Sequence, residues 1–187
     1  MGINSESHPS KRFRFCPACG AEGFSFDGEK LFTCTSCGFS YYINPAPAVV
    51  AIIESGEGRI VITRRKLEPR AGYLDLPGGF VDIMESAEEA LRREVREELG
   101  IEIESPVFIG TFPNEYVYNG LSYFTCDLGF VCTSREVERI KPADDVSEAM
   151  LVRPGDIDMG LIGFPSIKNI LSLYIKQKQA AKGQPVI

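Results

Sequence analysis

Three glutamates cluster near the end of a predicted helix, in the stretch REVREELG from Arg93 to Gly100. Negative charge at this place opposes the helix dipole, whose negative end lies at the C-terminus. With a rotation of about 100° per residue, Glu94 and Glu98 fall within the apolar arc of the helix, and Glu97 flanks that arc. Burying two like charges is unfavourable by several kcal/mol unless they are paired or bind a cation. The pattern therefore leaves two interpretations, pairing with basic residues elsewhere or binding of a divalent cation.

The residue types indicate which cation this would be. Clustered carboxylates without histidine favour a hard, oxygen-loving ion such as Mg2+ or Mn2+. The single histidine of the chain, His8, falls in residues 1–12, which the sequence predicts to be a disordered tail. A histidine-ligated catalytic zinc is therefore excluded from the folded part. A general base would be a carboxylate or, less often, Lys, Tyr or Cys.

A second group of residues has the spacing of a metal site. The first four cysteines form two Cys-x2-Cys-Gly turns, CPACG and CTSCG, and they are Cys16, Cys19, Cys34 and Cys37. In a chain without a secretion signal, this pattern disfavours two disulfides or a redox pair and predicts one tetrahedral Zn2+ held by four thiolates. The segment between the turns is typical of a hairpin with Asp27-Gly28 at its tip, so residues 13–43 are predicted to form a zinc ribbon.

The helix that carries the glutamates has well-marked ends. Ser86 and Glu89 are typical of a capping box, and Gly100 is suited to end the helix in a left-handed turn. Strands are predicted over NPAPAVVAIIES and IVITRR, joined by GEGR, and over IEIESPVFIGTF, LSYFTCDLGFVC and AMLVRP. FPSIKNILSLYIKQKQ has the apolar spacing of a last helix. This order predicts a mixed β-sheet packed by helices, of the α/β or α+β class, over residues 44–187.

Composition limits the class of protein. The chain has 187 residues, of which 44% are hydrophobic and 25% charged, typical of one globular domain with a small appendage. No apolar run reaches the roughly 18 residues of a membrane helix, and the N-terminus has no apolar signal region. We therefore expect a cytoplasmic protein without a membrane partner. The net charge of −6 argues against nucleic-acid binding as the main task, while an anionic small molecule stays open as substrate.

The residues around the acidic helix resemble a known family. The stretch GFVDIMESAEEALRREVREELGI resembles the Nudix box at every specified position, and the preceding LPGG fits the family as well. The matching positions are Gly79, Glu85, Arg93, Glu94, Val95, Glu97, Glu98, Gly100 and Ile101. A zinc ribbon ahead of such a domain is similar to the NADH pyrophosphatase branch and to some ADP-ribose or FAD pyrophosphatases.

The resemblance implies a fold, a reaction and residue roles. The fold would be a mixed sheet sandwiched between helices, and the reaction the Mg2+-dependent (or Mn2+-dependent) hydrolysis of a nucleoside diphosphate linked to another group. A backbone carbonyl of Gly78 or Gly79 would join the metal ligands, Arg93 would orient a box glutamate, and Glu85 would brace the loop–helix junction. By position, the ligands themselves would be Glu94, Glu97 and Glu98.

Three further residues are candidates outside the box. Glu148 resembles the late acid that completes the metal site in related enzymes, and a surface acid at a strand start is the alternative. Arg64 ends a strand beside Arg65, and either phosphate contact or a surface salt bridge fits this position. Tyr116 is one of several aromatic residues that would stack on a base or lie in the core.

One departure and one competing hypothesis follow. NADH pyrophosphatases carry a Ser-Gln-Pro-Trp type sequence after the box, whereas this chain has TFPNEY there and no Trp anywhere, which argues against NADH as the preferred substrate. The competing hypothesis is a catalytically silent protein that senses nucleotides or binds a partner through the ribbon. The unbroken box counts against it. The ribbon would be structural, dimer-forming or substrate-covering, so a homodimer stays open.

Overall fold

The computed structural model describes residues 6–181 and residue 183. Two compact units make up the chain. The first comprises Met1–Ala46 with Glu115–Phe124, and the second comprises Pro47–Asn114 with Thr125–Ile187. Positions 1–5, 182 and 184–187 lie outside the described residues.

A three-stranded antiparallel sheet forms most of the first unit. Its strands are β1 (Phe24–Phe26), β2 (Leu31–Cys34) and β3 (Ser40–Tyr42), in that order across the sheet. The predicted hairpin tip is confirmed, because the Oδ1 atom of Asp27 accepts from the backbone N–H groups of residues 29, 30 and 31 at 2.8–3.0 Å. Phe24 and Phe32 stack at 5.0 Å between ring centroids beside Cys16 and Cys34, which together give this small unit an aromatic core.

The start of the first unit differs from the predicted disordered tail. Helix α1 covers Pro9–Arg12, and the ring of His8 caps it by accepting from the Ser10 N–H at 3.1 Å. His8 is only 4% exposed, because its ring packs against Phe26 and Phe124 at 5.2 and 5.5 Å. The polar composition of this segment does not predict these contacts, because the ring partners of His8 are distant in sequence. The predicted tail over residues 1–5 lies outside the described part.

A seven-stranded sheet forms the second unit. Its main path runs β10 (Val146–Val152), β5 (Ile60–Arg65), β4 (Ala46–Glu54), β9 (Leu121–Thr133) and β8 (Glu104–Tyr118). Two short strands pair beside this path, β6 (Leu74–Asp75) with β5 and β7 (Gly78–Phe80) with β4. The sequence predicts the five longer strands, whereas β6 and β7 fall in a segment rich in Pro and Gly for which it predicts no strand. The predicted fold class is confirmed: a small hairpin module comes first in the sequence, and a mixed sheet with helices follows it.

Two helices pack on this sheet. Helix α2 covers Ala87–Leu99 and α3 covers Pro165–Ala181. The capping box at Ser86 is confirmed, and so is the left-handed Gly100 with φ of 69°. On α2, Leu91, Val95 and Leu99 are buried against Val49, Ala51 and other apolar residues of the sheet. Burial of each large side chain stabilises the helix position by about 1.5–3 kcal/mol. None of the helices in the described part has the length and apolar character that crossing a bilayer requires.

Candidate active site

Arg93 is the centre of the charged cluster on α2. Its Nε and Nη2 atoms donate to the two carboxylate oxygens of Glu85, each at 2.9 Å. Its Nη1 atom donates to Glu94 at 2.8 Å and to Glu97 at 3.1 Å. A further bond reaches the carbonyl of Phe80 at 3.0 Å. One guanidinium therefore joins three carboxylates to the loop before the helix, and bidentate pairs of this kind fix orientation as well as charge.

Glu85 links this cluster to the loop that precedes α2. Its Oε2 atom accepts from the backbone N–H of Asp82 at 3.0 Å while both its oxygens hold Arg93. The pairing with Arg93 lowers the pKa of Glu85. Glu85 therefore joins Arg93 to this loop, and the bracing role that the family resemblance implies for it stays a prediction.

The two glycines of β7 lie directly over the other carboxylates. The N–H of Gly78 donates to Glu98 at 2.9 Å. A Cβ added to Gly79 would lie 2.5 Å from the Oε1 atom of Glu94, and one added to Gly78 would collide with the carbonyl of Val49. A side chain at Gly79 would therefore occupy the space beside Glu94, and one at Gly78 would collide with the backbone of β4, which explains why this loop needs glycine at both positions.

Burial distinguishes these glutamates from a solvated charge run. Glu98 is 5% exposed, and burial together with the neighbouring Asp145 charge raises its pKa well above the ordinary value. Burial also raises the pKa of Glu94, whereas Glu97 is exposed. Two poorly solvated carboxyls side by side favour either protonation or a nearby cation. The prediction that Glu94 and Glu98 face inward is thus confirmed.

Asp145 is the residue that sequence reasoning missed. It follows a loop that is bound to the end of α2, where Lys141 N–H donates to the Leu99 carbonyl at 3.0 Å and Ala143 N–H to the Glu98 carbonyl at 2.8 Å. These bonds satisfy helix carbonyls that would otherwise lack a partner. They also bring the Asp145 carboxylate against Glu98. The late acid beside the box glutamates is therefore Asp145.

Glu148 takes part in an ion pair on the sheet. It lies opposite Arg64 on the paired strands β10 and β5, and Arg64 Nε donates to it at 2.9 Å. Arg64 also donates to the carbonyl of Gly72 at 2.9 Å. The structure thus pairs Glu148 with Arg64, and its role as a metal ligand stays a prediction. An irregularity in strand pairing between Val146 and Glu148 breaks the simple alternation of sides, so the sequence pattern alone does not determine which side Glu148 faces.

Arg65, the neighbour of Arg64, lies beside the acids. Its Nη1 atom donates to buried Asp75 at 3.0 Å, and both residues line a small cavity with Glu98 and Asp145. Burial raises the pKa of Asp75 to about 6 despite the Arg65 charge. The signal that could have identified Arg65 is its position next to Arg64, since neighbours on a strand point to opposite sides.

Tyr116 belongs to the first unit, as part of the segment Glu115–Phe124. Its ring stacks on Tyr118 with 6.5 Å between centroids. Its assignment to substrate binding stays a prediction.

The donor set of the acidic cluster fits a hard divalent cation. Every candidate ligand is an oxygen, and the carboxyl of Glu98 is held in place by a backbone N–H rather than by a basic side chain. Arg93 forms ion pairs with Glu94 and Glu97, so it neutralises part of the negative charge of these two carboxylates. Glu94, Glu97, Glu98 and Asp145 would hold Mg2+ or Mn2+.

The four cysteines of the first unit form a compact group. All their sulfur atoms lie within 4.8 Å of one another. The Cys16 and Cys37 sulfurs are 3.8 Å apart, and those of Cys19 and Cys34 are 3.7 Å apart. These distances exceed the about 2.05 Å of a disulfide. They match the about 3.8 Å edge of a tetrahedron whose centre lies 2.3 Å from each sulfur, as in a zinc–thiolate site.

The two cysteine turns have the same local geometry. Gly20 N–H donates to the Cys16 carbonyl at 2.8 Å, and Gly38 N–H donates to the Cys34 carbonyl at 3.0 Å. Both glycines are left-handed, with φ of 73° and 75°. Backbone N–H groups of Cys37 and Ser36 lower the pKa of the Cys34 thiol to about 6, which favours the thiolate that a metal binds. The residues fit Zn2+.

Comparison with known proteins gives a family match. The model of the NUDIX domain matches residues 44–170. The NAD-capped RNA hydrolase NudC of Pseudomonas aeruginosa PAO1 is 25% identical over 93% of this chain and 59% of its own length. The protein of the same name from Stutzerimonas stutzeri is 31% identical over 52% of this chain and 35% of its own. The chain spans between about a third and three fifths of the length of such relatives.

Solved structures agree on the fold. A NUDIX hydrolase from Nitrosomonas europaea superposes with a TM-score of 0.68 at 23% identity, covering 94% of this chain and 96% of that one. A MutT NUDIX hydrolase from Burkholderia pseudomallei has a TM-score of 0.57 at 26% identity, covering 70% of this chain and 98% of that one.

Proposed function

The chain belongs to the Nudix family, and from that premise we propose that it is a pyrophosphohydrolase that depends on Mg2+ or Mn2+. It would cleave a nucleoside diphosphate linked to a second group into a nucleoside monophosphate and a phosphorylated product. The observation that carries this proposal is the group of carboxylates under Gly78 and Gly79, with Glu98 buried and bound to the Gly78 N–H at 2.9 Å. A buried, oriented carboxylate cluster is what binding a divalent cation next to a phosphate requires.

The residues of the chain would divide the work as follows. A bound divalent ion would neutralise phosphate oxygens and acidify the attacking water. Glu94, Glu97 and Glu98 would hold that ion, aided by a backbone carbonyl of Gly78 or Gly79. Arg93 would keep Glu94 and Glu97 oriented through its bonds of 2.8 and 3.1 Å, and Glu85 would hold Arg93 in turn.

The general base would be a carboxylate of this cluster. His8 belongs to the first unit, where its Nδ1 caps α1 and its ring contacts two phenylalanines. Glu94 and Glu97 are candidates on α2, and Asp145 is a third on the loop beside them. We favour Asp145 over Glu148 as the late acid, because Asp145 lies against Glu98 whereas Glu148 is bound by Arg64 at 2.9 Å.

The substrate would be a dinucleotide or a related diphosphate. Relatives named NAD-capped RNA hydrolase support an NAD-like group next to the scissile bond. The absence of Trp and the sequence TFPNEY instead of a Ser-Gln-Pro-Trp type segment argue for a substrate other than NADH itself. ADP-ribose, FAD and similar diphosphates are therefore equally good candidate substrates.

A substrate panel tests the proposal directly. Purified protein with Mg2+ or Mn2+ would be incubated with NAD, NADH, ADP-ribose, FAD, dinucleoside polyphosphates and NAD-capped RNA, and monophosphate products would be quantified by chromatography. We expect turnover of at least one diphosphate and its loss in Glu94→Gln. Tight binding without turnover across the panel would instead support the competing function, a nucleotide sensor.

A further inference from the structure

The cations that contact the acidic cluster are already bound by carboxylates. Arg93 is held by Glu85 and by two further glutamates at 2.8–3.1 Å. Arg65 is paired with Asp75 at 3.0 Å. A pyrophosphate that enters this site therefore meets carboxylates, while both arginines are already engaged in ion pairs. The whole chain also carries a net charge of −6. Beside the divalent ion of the proposed function, positive charge at the edge of the site would strengthen the binding of such an anion.

Lys66 lies at this edge. It follows directly after β5, and its backbone N–H donates to the carbonyl of Asp145 at 2.7 Å. Its Nζ atom donates to the carbonyl of Asp144 at 3.3 Å. The side chain is exposed, and no carboxylate of the described residues lies within 4.0 Å of Nζ. These two bonds fix Lys66 next to the acid that contacts Glu98, while its charge is left without an anionic partner in the described chain.

We propose that Lys66 binds a phosphate oxygen of the substrate and sets the preference for diphosphate over uncharged or singly charged ligands. This inference rests on the proposed function. The ammonium group has three donors, of which the Asp144 carbonyl takes one, so two are available to a phosphate. Lysine commonly binds phosphate as a point charge. The carbonyl bond holds the ammonium at Asp144, the residue before Asp145, whose carboxylate contacts Glu98.

The test compares Lys66→Gln and Lys66→Arg with Lys176→Gln, a matched control on the exposed side of α3. For the best substrate of the panel, we expect Lys66→Gln to raise KM about ten-fold with little change in kcat, the size of a lost charged hydrogen bond. Lys66→Arg should restore most of the affinity, and Lys176→Gln should match the wild type. Inhibition by ADP should weaken by a similar factor, whereas inhibition by adenosine should not change.

A purely structural role would give a different result. If Lys66 only holds the loop at Asp144 and Asp145, Lys66→Gln would lower kcat and the melting temperature while ADP affinity stayed constant, and the proposal would be overturned. If the wild type cleaves no compound of the panel, ADP binding is measured by calorimetry. Weaker ADP binding in Lys66→Gln would then support Lys66 although the proposed hydrolysis fails. Equal binding, or no ADP binding in the wild type, would overturn the inference.

Discussion

Gly78 donates its backbone N–H to the Oε2 atom of Glu98 at 2.9 Å, which joins the short strand β7 to the last turn of α2. Glu98 therefore has a fixed position although it is buried at the unfavourable end of the helix dipole. The orientation of this carboxylate comes from the backbone of the glycine loop rather than from an ion pair. A carboxyl held this way is oriented without a basic partner, so a cation that binds there would supply the compensating charge.

The first prediction removes that charge and keeps the hydrogen bond. Glu98→Gln leaves an oxygen that accepts from Gly78 N–H, so we expect the fold to persist and the melting temperature to stay equal or rise. Hydrolysis should fall about 100-fold or more, because electrostatic groups at reacting centres contribute on this scale. Exposed Glu88 on the first turn of α2 provides the control, Glu88→Gln, which should retain activity. Full activity of Glu98→Gln would contradict the proposal that Glu98 binds the divalent cation.

A second prediction concerns space rather than charge. Gly79→Ala adds a Cβ atom 2.5 Å from the Oε1 atom of Glu94, so the Glu94 side chain has to move. We expect only a small loss of stability, because the displaced atoms are the end of the Glu94 side chain, and a loss of activity much larger than stability accounts for. Gly56→Ala, at a turn with open space around the added atom, should change neither quantity. Denaturant titration and product assays on both variants make the comparison, and unchanged activity in Gly79→Ala would contradict it.

The third prediction separates the two late acids. Asp145→Asn should reduce hydrolysis by at least about ten-fold, because the Asp145 carboxylate lies against Glu98. Glu148→Gln should retain activity, because it only breaks an exposed pair with Arg64 that contributes less than about 1 kcal/mol. Initial rates of both variants with the same substrate decide between them. The reverse ranking would restore Glu148 as the functional acid.

The sequence predicts α2 well because its signals are local. A capping box, an apolar arc and a terminal glycine all lie within the helix, and they determine which way Glu94 and Glu98 point. The two cysteine turns are likewise local, so the four thiols could be assigned before their distances were known. Local signals of this kind are reliable here because they agree with the global fold.

Long-range pairing accounts for what the sequence did not predict. Asp145 reaches Glu98 only because the loop at Lys141 and Ala143 binds the carbonyls that end α2. The choice between Arg64 and Arg65 depends on strand pairing with β10, whose irregularity no local pattern reveals. The local sequence predicts a disordered tail around His8, because its ring partners, Phe26 and Phe124, are distant in sequence.

The fourth prediction is a pH dependence of stability away from the candidate active site. Asp127 is 5% exposed and accepts from Thr125 Oγ1 at 2.6 Å, and burial raises its pKa. A raised pKa means that the unfolded chain releases this proton at lower pH than the folded one. Its contribution to stability is therefore complete below the ordinary Asp pKa of about 3.9 and is lost as pH rises through the folded value.

Asp127→Asn removes this titration. The free energy of unfolding of the wild type, minus that of Asp127→Asn, should fall as pH rises from about 4 to 7. Urea titrations of both proteins at several pH values measure the difference, and they cancel the titration of other groups. A difference that is constant or grows with pH would show that the folded pKa of Asp127 is not raised.

The last prediction concerns the cysteine cluster. We expect one zinc per chain, bound by sulfurs that are already 3.7–3.8 Å apart in two pairs. Cys34→Ser should lose the metal and expose the first unit to protease, since Cys34 belongs to its small aromatic core and such units need a metal for stability. The second unit has a separate apolar core and should keep its melting transition. Cys126→Ser, outside the cluster, serves as the control and should retain the zinc. Metal analysis and limited proteolysis give the two readouts, and a zinc content unchanged by Cys34→Ser would contradict the four-thiolate site.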